Sequence, residues 1–322
     1  MTLGLAAERA AARATAYRLF GRLFAREVTP DLLATLAVLP ELGEALPSPF
    51  DADAAAAEHQ RLFGLQVPPW AGVFLDPEGR IGGGTARVVR DLYARAGLEL
   101  DERSEEADHV GHALALLAEL EDDALAAETL DRALLPWLPW LVEAVERHGG
   151  PFHRALAGLT LELALDHRSA LPAPPGSATE STDEPELLDD ERAGLRSIAE
   201  FLVTPARCGV YVARDDIRRL GAEGGLPTGF GARADTLETL LRAAAEYDDL
   251  ERVVDGLLEL VAAGRRACGA LADAGGAATT GVVELRRERL DRTERALARL
   301  SAAATSLDSG QDDSSSPGTF LR

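Results

Sequence analysis

Lysine is missing altogether: all 33 basic residues of this 322-residue chain are arginine. That absence removes the lysine of a nucleotide-binding P-loop, any Schiff-base chemistry and any lysine general base. Cysteine is scarce as well. Cys208 and Cys268 lie far apart and have neither metal nor redox spacing, so both are expected as buried free thiols of a reducing compartment. Aromatic residues make up only 5%. No uncharged run approaches the roughly 18–20 residues of a membrane span, and no alternating run of convincing length reads as a strand. The first twenty residues carry charge throughout, which leaves no clean apolar signal region. Positive charge is in deficit too. With 54 acidic residues the formal net charge is −21, and such a surface repels phosphate backbones and anionic lipid headgroups. Nucleic acid and membrane are therefore poor partners, a basic arginine-bearing peptide is a suitable one, and the expected location is the cytoplasm.

What is present is alanine, leucine, glutamate and arginine in helical rhythm, and hydrophobic residues reach 46%. These side chains lose little rotamer freedom on a helix, so the fold class is all-α. Tyr17, Phe20, Leu23 and Phe24 form one apolar face of a first helix, and Thr29-Pro30 reads as an N-cap followed by a first-turn proline. Residues 64–84 hold three prolines and six glycines and read as a punctuated loop. Pro136 and Pro139 must start or kink a helix. The expected organisation is a helical region over 1–168, a Pro/Ser/acid-rich linker or loop over 169–188, a C-terminal helical portion over 189–305 and a disordered tail over 306–322.

Three constellations carry possible chemistry. In EEADHVGHALALLAELE (105–121), Asp108 reads as an N-cap, with His109 and His112 three apart on the first turn. A zinc hydrolase would need a third ligand, and HExxH spacing would need four residues and a glutamate after the first histidine, where Val110 stands. In GRIGGGT (79–85) the glycine spacing approaches a P-loop without its lysine, and open amides before a helix remain able to hold an anion. Trp70, Trp137 and Trp140 are the three tryptophans, all beside prolines. Trp70, in its Pro/Gly loop, is the candidate for a partner surface, whereas Trp137 and Trp140 suit either a groove wall or the core.

The ordered series EHQRLFGL, PPWAGVFLDPEGRIGG, VVRDLYARAGLEL, ADHVGHALALLAEL, LLPWLPW and FHRALAGLTLELAL resembles the TorD family of redox-enzyme maturation chaperones over about residues 12–168. The stretch from FLVTPARCGVYVARDD to AAAEYDDL looks like the C-terminal portion of longer members. The resemblance implies a TorD-like helical bundle extended by C-terminal helices, no catalytic activity and no cofactor. It implies a cytoplasmic partner as well: the twin-arginine leader, or the apo form, of a molybdopterin-dependent oxidoreductase, held until its cofactor is inserted. The family's leader-binding Asp-His pair falls on Asp108 and His109, its loop proline and tryptophan on Pro69 and Trp70, and its following acid and glycine on Asp76 and Gly79. Ala107 stands where the family has proline, Ala113 where it has glutamate, and His112 is additional. On this reading Asp108 accepts a guanidinium, His109 bonds peptide carbonyls with a pH dependence near neutrality, and Phe63, Trp70 and Phe74 form an apolar wall. A metal-dependent hydrolase using His109 and His112, and a structural adaptor, are the alternatives.

Overall fold

A computed structural model describes residues 2–172 and 194–311. Ser169 and Ala170 of the expected linker close a helix, and the remainder of that segment from 173 lies outside the described residues, as do 312–322. The first half comprises α1 (Thr2–Ala25), the short α2 (Leu33–Leu36) and α3 (Pro40–Glu44), α4 (Ala52–His59), α5 (Ala71–Leu75), α6 (Gly83–Ala96), α7 (Val110–Glu119), α8 (Asp123–Thr129), α9 (Leu138–His148) and α10 (Pro151–Ala170). The second comprises α11 (Leu195–Leu202), α12 (Pro205–Cys208), α13 (Arg214–Glu223), α14 (Arg233–Glu246), α15 (Leu250–Gly275) and α16 (Thr280–Gln311). Residues 306–311, expected in the tail, continue α16. Among the described residues the fold is all-α.

Local chemistry explains the helix boundaries. The Asp51 and Asp122 carboxylates accept the first free amides of α4 and α8, the usual capping arrangement. Gly97 ends α6 in the left-handed conformation. Pro139 sits in the first turn of α9, where its missing N–H leaves no ladder bond broken. Two helices run on into π turns, Gln60–Gln66 after α4 and Leu130–Leu134 after α8. The loop expected over 64–84 is not wholly irregular, because α5 forms within it.

Two cores result. The first is organised by α1 against α7, where Tyr17, Phe20, Leu23 and Phe24 are all buried. The two backbones touch at Gly21 and Gly111: a Cβ on Gly21 would lie 3.1 Å from the Gly111 carbonyl oxygen. Trp137 and Trp140 fill this core and do not wall a groove. The second core lies among α11, α14, α15 and α16 and buries both free cysteines.

The cores are joined by the extended segment between α12 and α13. Tyr211 and Ala213 enter the first core, and Val210 and Val212 the second. Successive side chains of extended backbone point to opposite sides, which suits such a seam. The Tyr211 hydroxyl donates to the Gln66 carbonyl at 2.5 Å, and Asp215 N–H donates to Gln66 Oε1 at 3.1 Å. Buried Arg286 lies over the Trp140 ring at 5.0 Å, donates to the Gly209 carbonyl at 3.1 Å and pairs with Glu143.

Candidate functional site

The Pro69-Trp70 loop and the start of α7 meet in an antiparallel bridge between Trp70 and His109, the only β pairing among the described residues. Ala71 N–H donates to the Asp108 carbonyl at 2.9 Å, and Val110 N–H to the Pro69 carbonyl at 3.0 Å. The Trp70 and His109 rings meet edge to face, with centroids 5.1 Å apart. Asp108, His109, Pro69 and Trp70 are thus brought together as the motif reading requires.

Their chemistry differs from that reading. Asp108 is 1% exposed, and its carboxylate accepts Gly72 N–H at 2.9 Å, Gly82 N–H at 3.1 Å and the Thr85 hydroxyl at 2.8 Å. It is neither the N-cap of α7 nor free to accept a guanidinium. The open amides of the glycine-rich loop do hold an anion, and that anion is the Asp108 side chain at the start of α6. Backbone N–H groups and the helix dipole favour negative charge there. Gly72 makes the approach possible, since a Cβ there would lie 2.1 Å from the Arg80 carbonyl oxygen and 2.9 Å from Asp108 Oδ2. Gly72 and Thr85 hold the Asp108 carboxylate in place, and motif reading missed both. The glycine content of 64–84 signals close backbone approach in general, but nothing in it signals the partner.

His109 is the N-cap. Its Nδ1 accepts Gly111 N–H at 3.0 Å, so the neutral ring carries its proton on Nε2. Burial lowers its pKa to about 3, with His112 and His59 adding to the shift. Burial thus disfavours the charged imidazolium, which runs against the expected pH dependence near neutrality. His112 Nε2 faces the Glu105 carbonyl at 3.3 Å, and the two imidazole rings stand 6.3 Å apart and nearly perpendicular. Among the described residues no group of three or more His, Cys, Asp or Glu side chains is arranged to hold a metal, so the hydrolase alternative has no geometric support.

Phe63 and Phe74 do not form an exposed wall. Phe74 is fully buried between Trp137 and Tyr211, with centroids at 5.6 and 5.2 Å, and Phe63 packs on Phe24 at 5.4 Å. The residues that do face an opening are Asp76 and its neighbours. Asp76 Oδ1 accepts the amides of Glu78 and Arg80, at 2.8 and 3.3 Å, and Gly79 closes the turn in the left-handed region with φ 67°. The Asp76 side chain lines a hollow of about 260 Å³ together with Ala71, Leu75, Thr85, Val88 and Arg132. Asp108 does not line this hollow but is bonded to two residues that do, Thr85 through its carboxylate and Ala71 through its carbonyl. The arrangement offers a carboxylate, with Arg80 Nε 3.5 Å from its Oδ1, and the Arg132 side chain beside apolar walls, with Trp70 directly preceding Ala71.

A family profile described as nitrate reductase delta subunit matches residues 29–156. The chain is 33% identical over 109 residues to the Tat proofreading chaperone DmsD of Salmonella typhi, covering 31% of this chain and 53% of that protein. It is 31% identical over 102 residues to a probable Tat proofreading chaperone DmsD of Haemophilus influenzae, covering 30% of this chain and 50% of that protein. The chain therefore spans about half the length of the curated relatives it matches. No helix among the described residues is long and apolar enough to cross a membrane.

Proposed function

We propose that this chain is a client-specific chaperone of the TorD-like family, acting in the cytoplasm, a reading supported by the profile match over residues 29–156 and by the similarity to Tat proofreading chaperones. Its client on this reading is a molybdopterin-dependent oxidoreductase, bound through its twin-arginine leader or in its apo form and held until the cofactor is inserted. The observation that carries the reading is the hollow at Asp76, a carboxylate beside apolar walls lined by the helix that follows the Pro69-Trp70 loop, on a chain of net charge −21. A leader with a basic head and an apolar stretch matches such a surface. Asp76 takes the role first expected of Asp108, as acceptor of the client's guanidinium, with Gly79 shaping its turn. Asp108 and His109 act from behind, holding the Trp70 loop against α6 and α7.

Calorimetric titration of the full chain with a twin-arginine leader peptide, and with the apo-oxidoreductase, tests the proposal. Binding should weaken about tenfold or more with Asp76→Asn, because a desolvated charged hydrogen bond contributes roughly 1.5–3 kcal/mol. Absence of binding to both leader and apoenzyme would overturn it.

A further inference from the structure

A second hollow, of about 160 Å³, opens between the end of α1, α4 and the first turn of α10. Leu23, Val28, Leu46, Pro47 and Phe152 give it apolar walls, and Ala54 and Ala55 of α4 line it with the smallest of side chains. His59 and His153 line it too, with ring centroids 6.1 Å apart. His59 Nε2 and His153 Nδ1 are both buried without a hydrogen-bond partner, a condition that buried polar atoms of folded proteins usually avoid. Burial lowers the pKa of both rings, that of His153 to about 4. The carboxylate at the wall, Glu58, is gripped by Arg61 through two 2.7 Å bonds and also accepts Gly150 N–H at 3.3 Å. The hollow thus has apolar walls, no unbalanced charge and two nitrogens still open to a hydrogen bond.

We propose that this hollow binds one bulky uncharged side chain, of leucine to phenylalanine size, from a polypeptide partner, whose adjoining peptide group bonds to His59 or His153. The size fits, since an apolar cavity of about 150 Å³ accommodates a benzene ring. Charge fits as well: a neutral lining with its carboxylate already paired favours an uncharged occupant. The position couples it to the first hollow. His59 lies near enough to His109 to influence its proton affinity, His109 touches Trp70, and Ala71 after it lines the Asp76 hollow. The identity of the partner as a client leader rests on the chaperone reading; the existence of the site does not.

The test titrates the full chain with N-acetyl-phenylalaninamide while the histidine imidazole resonances are followed by NMR. The site predicts a saturable shift of the His59 and His153 signals, weakened at least tenfold by Ala55→Phe, which fills the hollow, and unchanged by Asp76→Asn. Should Ala55→Phe not fold, Ala54→Leu at the more exposed neighbouring position decides the matter. No saturable shift, or one that survives the filling substitution unaltered, overturns the proposal. A leader peptide titrated in parallel separates the two readings. A saturable shift without leader binding defeats the chaperone function and leaves the site, whereas leader binding without a shift does the reverse.

Discussion

At the scale of single residues, a buried carboxylate with three donors is held by hydrogen bonds that have no substitute. Removing the Asp108 side chain leaves the Gly72 and Gly82 amides inside the protein without a partner, while the Thr85 hydroxyl keeps only the Gly82 carbonyl at 2.8 Å. Hydrogen bonds to charged groups contribute about 1.5–3 kcal/mol each, less what relaxation recovers. Asp108→Ala should therefore lower the unfolding free energy by about 3 kcal/mol or more in urea titration, whereas Asp76→Asn, which keeps an Oδ1 acceptor for the Glu78 and Arg80 amides and loses only the charge facing Arg80, should cost about 1 kcal/mol. Any loss of client binding in the first variant would then track lost structure, and in the second lost contact. Motif position singled out Asp108, His109, Trp70 and Pro69, which the structure brings together at one bridge. It did not reveal roles. An aspartate before a helix has the same one-dimensional context whether it caps that helix or turns away to a glycine loop 26 residues earlier. The turn away is decided by Gly72, whose missing Cβ leaves space that no periodicity records.

At the scale of elements, the legible parts are those with strong local rules. The start of α9 at Pro139, the stop of α6 at Gly97 and the apolar face of α1 all follow from backbone chemistry or a 3.6-residue period. The parts that were not legible depend on tertiary contact: the π turns after α4 and α8, and α5, five residues inside a loop rich in glycine and proline. Phe63 and Phe74 were misassigned for the same reason, because an aromatic residue near a candidate loop looks alike in sequence whether it faces in or out. The crossing of α5 with the Asp76–Arg80 turn gives a specific expectation. Gly72→Ala forces a methyl carbon to 2.1 Å from the Arg80 carbonyl oxygen, while Gly84→Ala, in the first turn of α6, meets nothing within 4 Å. The first substitution should destabilise by several kcal/mol and displace the loop. The second should be neutral or stabilise by up to about 1 kcal/mol, since alanine is the better helix former. Thermal melts of the two variants beside the parent chain check both, and equal melting points would refute the close approach on which the site depends.

At the scale of the whole molecule, the expectation of separate N- and C-terminal portions meets a seam that neither half makes alone. Val210 to Ala213 alternate between the two cores, and beside them Asp216 is clasped by the first half. Arg147 donates to its carboxylate at 2.6 Å and His148 Nε2 lies 3.1 Å away, while Ala213 N–H caps it from its own side. Burial works against the Asp216 charge, but the His148 hydrogen bond and the Arg147 guanidinium override it and hold the carboxyl pKa at about 2. The sign follows directly. An unfolded aspartate titrates near 3.9, so the folded protein binds fewer protons between that value and about 2. The stabilisation is fully present above pH 4 and is lost as pH falls towards 2. A depression of nearly two pH units corresponds to about 2–3 kcal/mol. Asp216→Asn should thus cost about 2–3 kcal/mol at pH 7 in urea titrations followed by tryptophan fluorescence. The difference from the parent chain should shrink steadily between pH 4 and pH 2. A difference that stays constant across that interval would mean that the clasp works through packing alone, and that the two halves are joined by Tyr211 and Arg286 without help from the charge on Asp216.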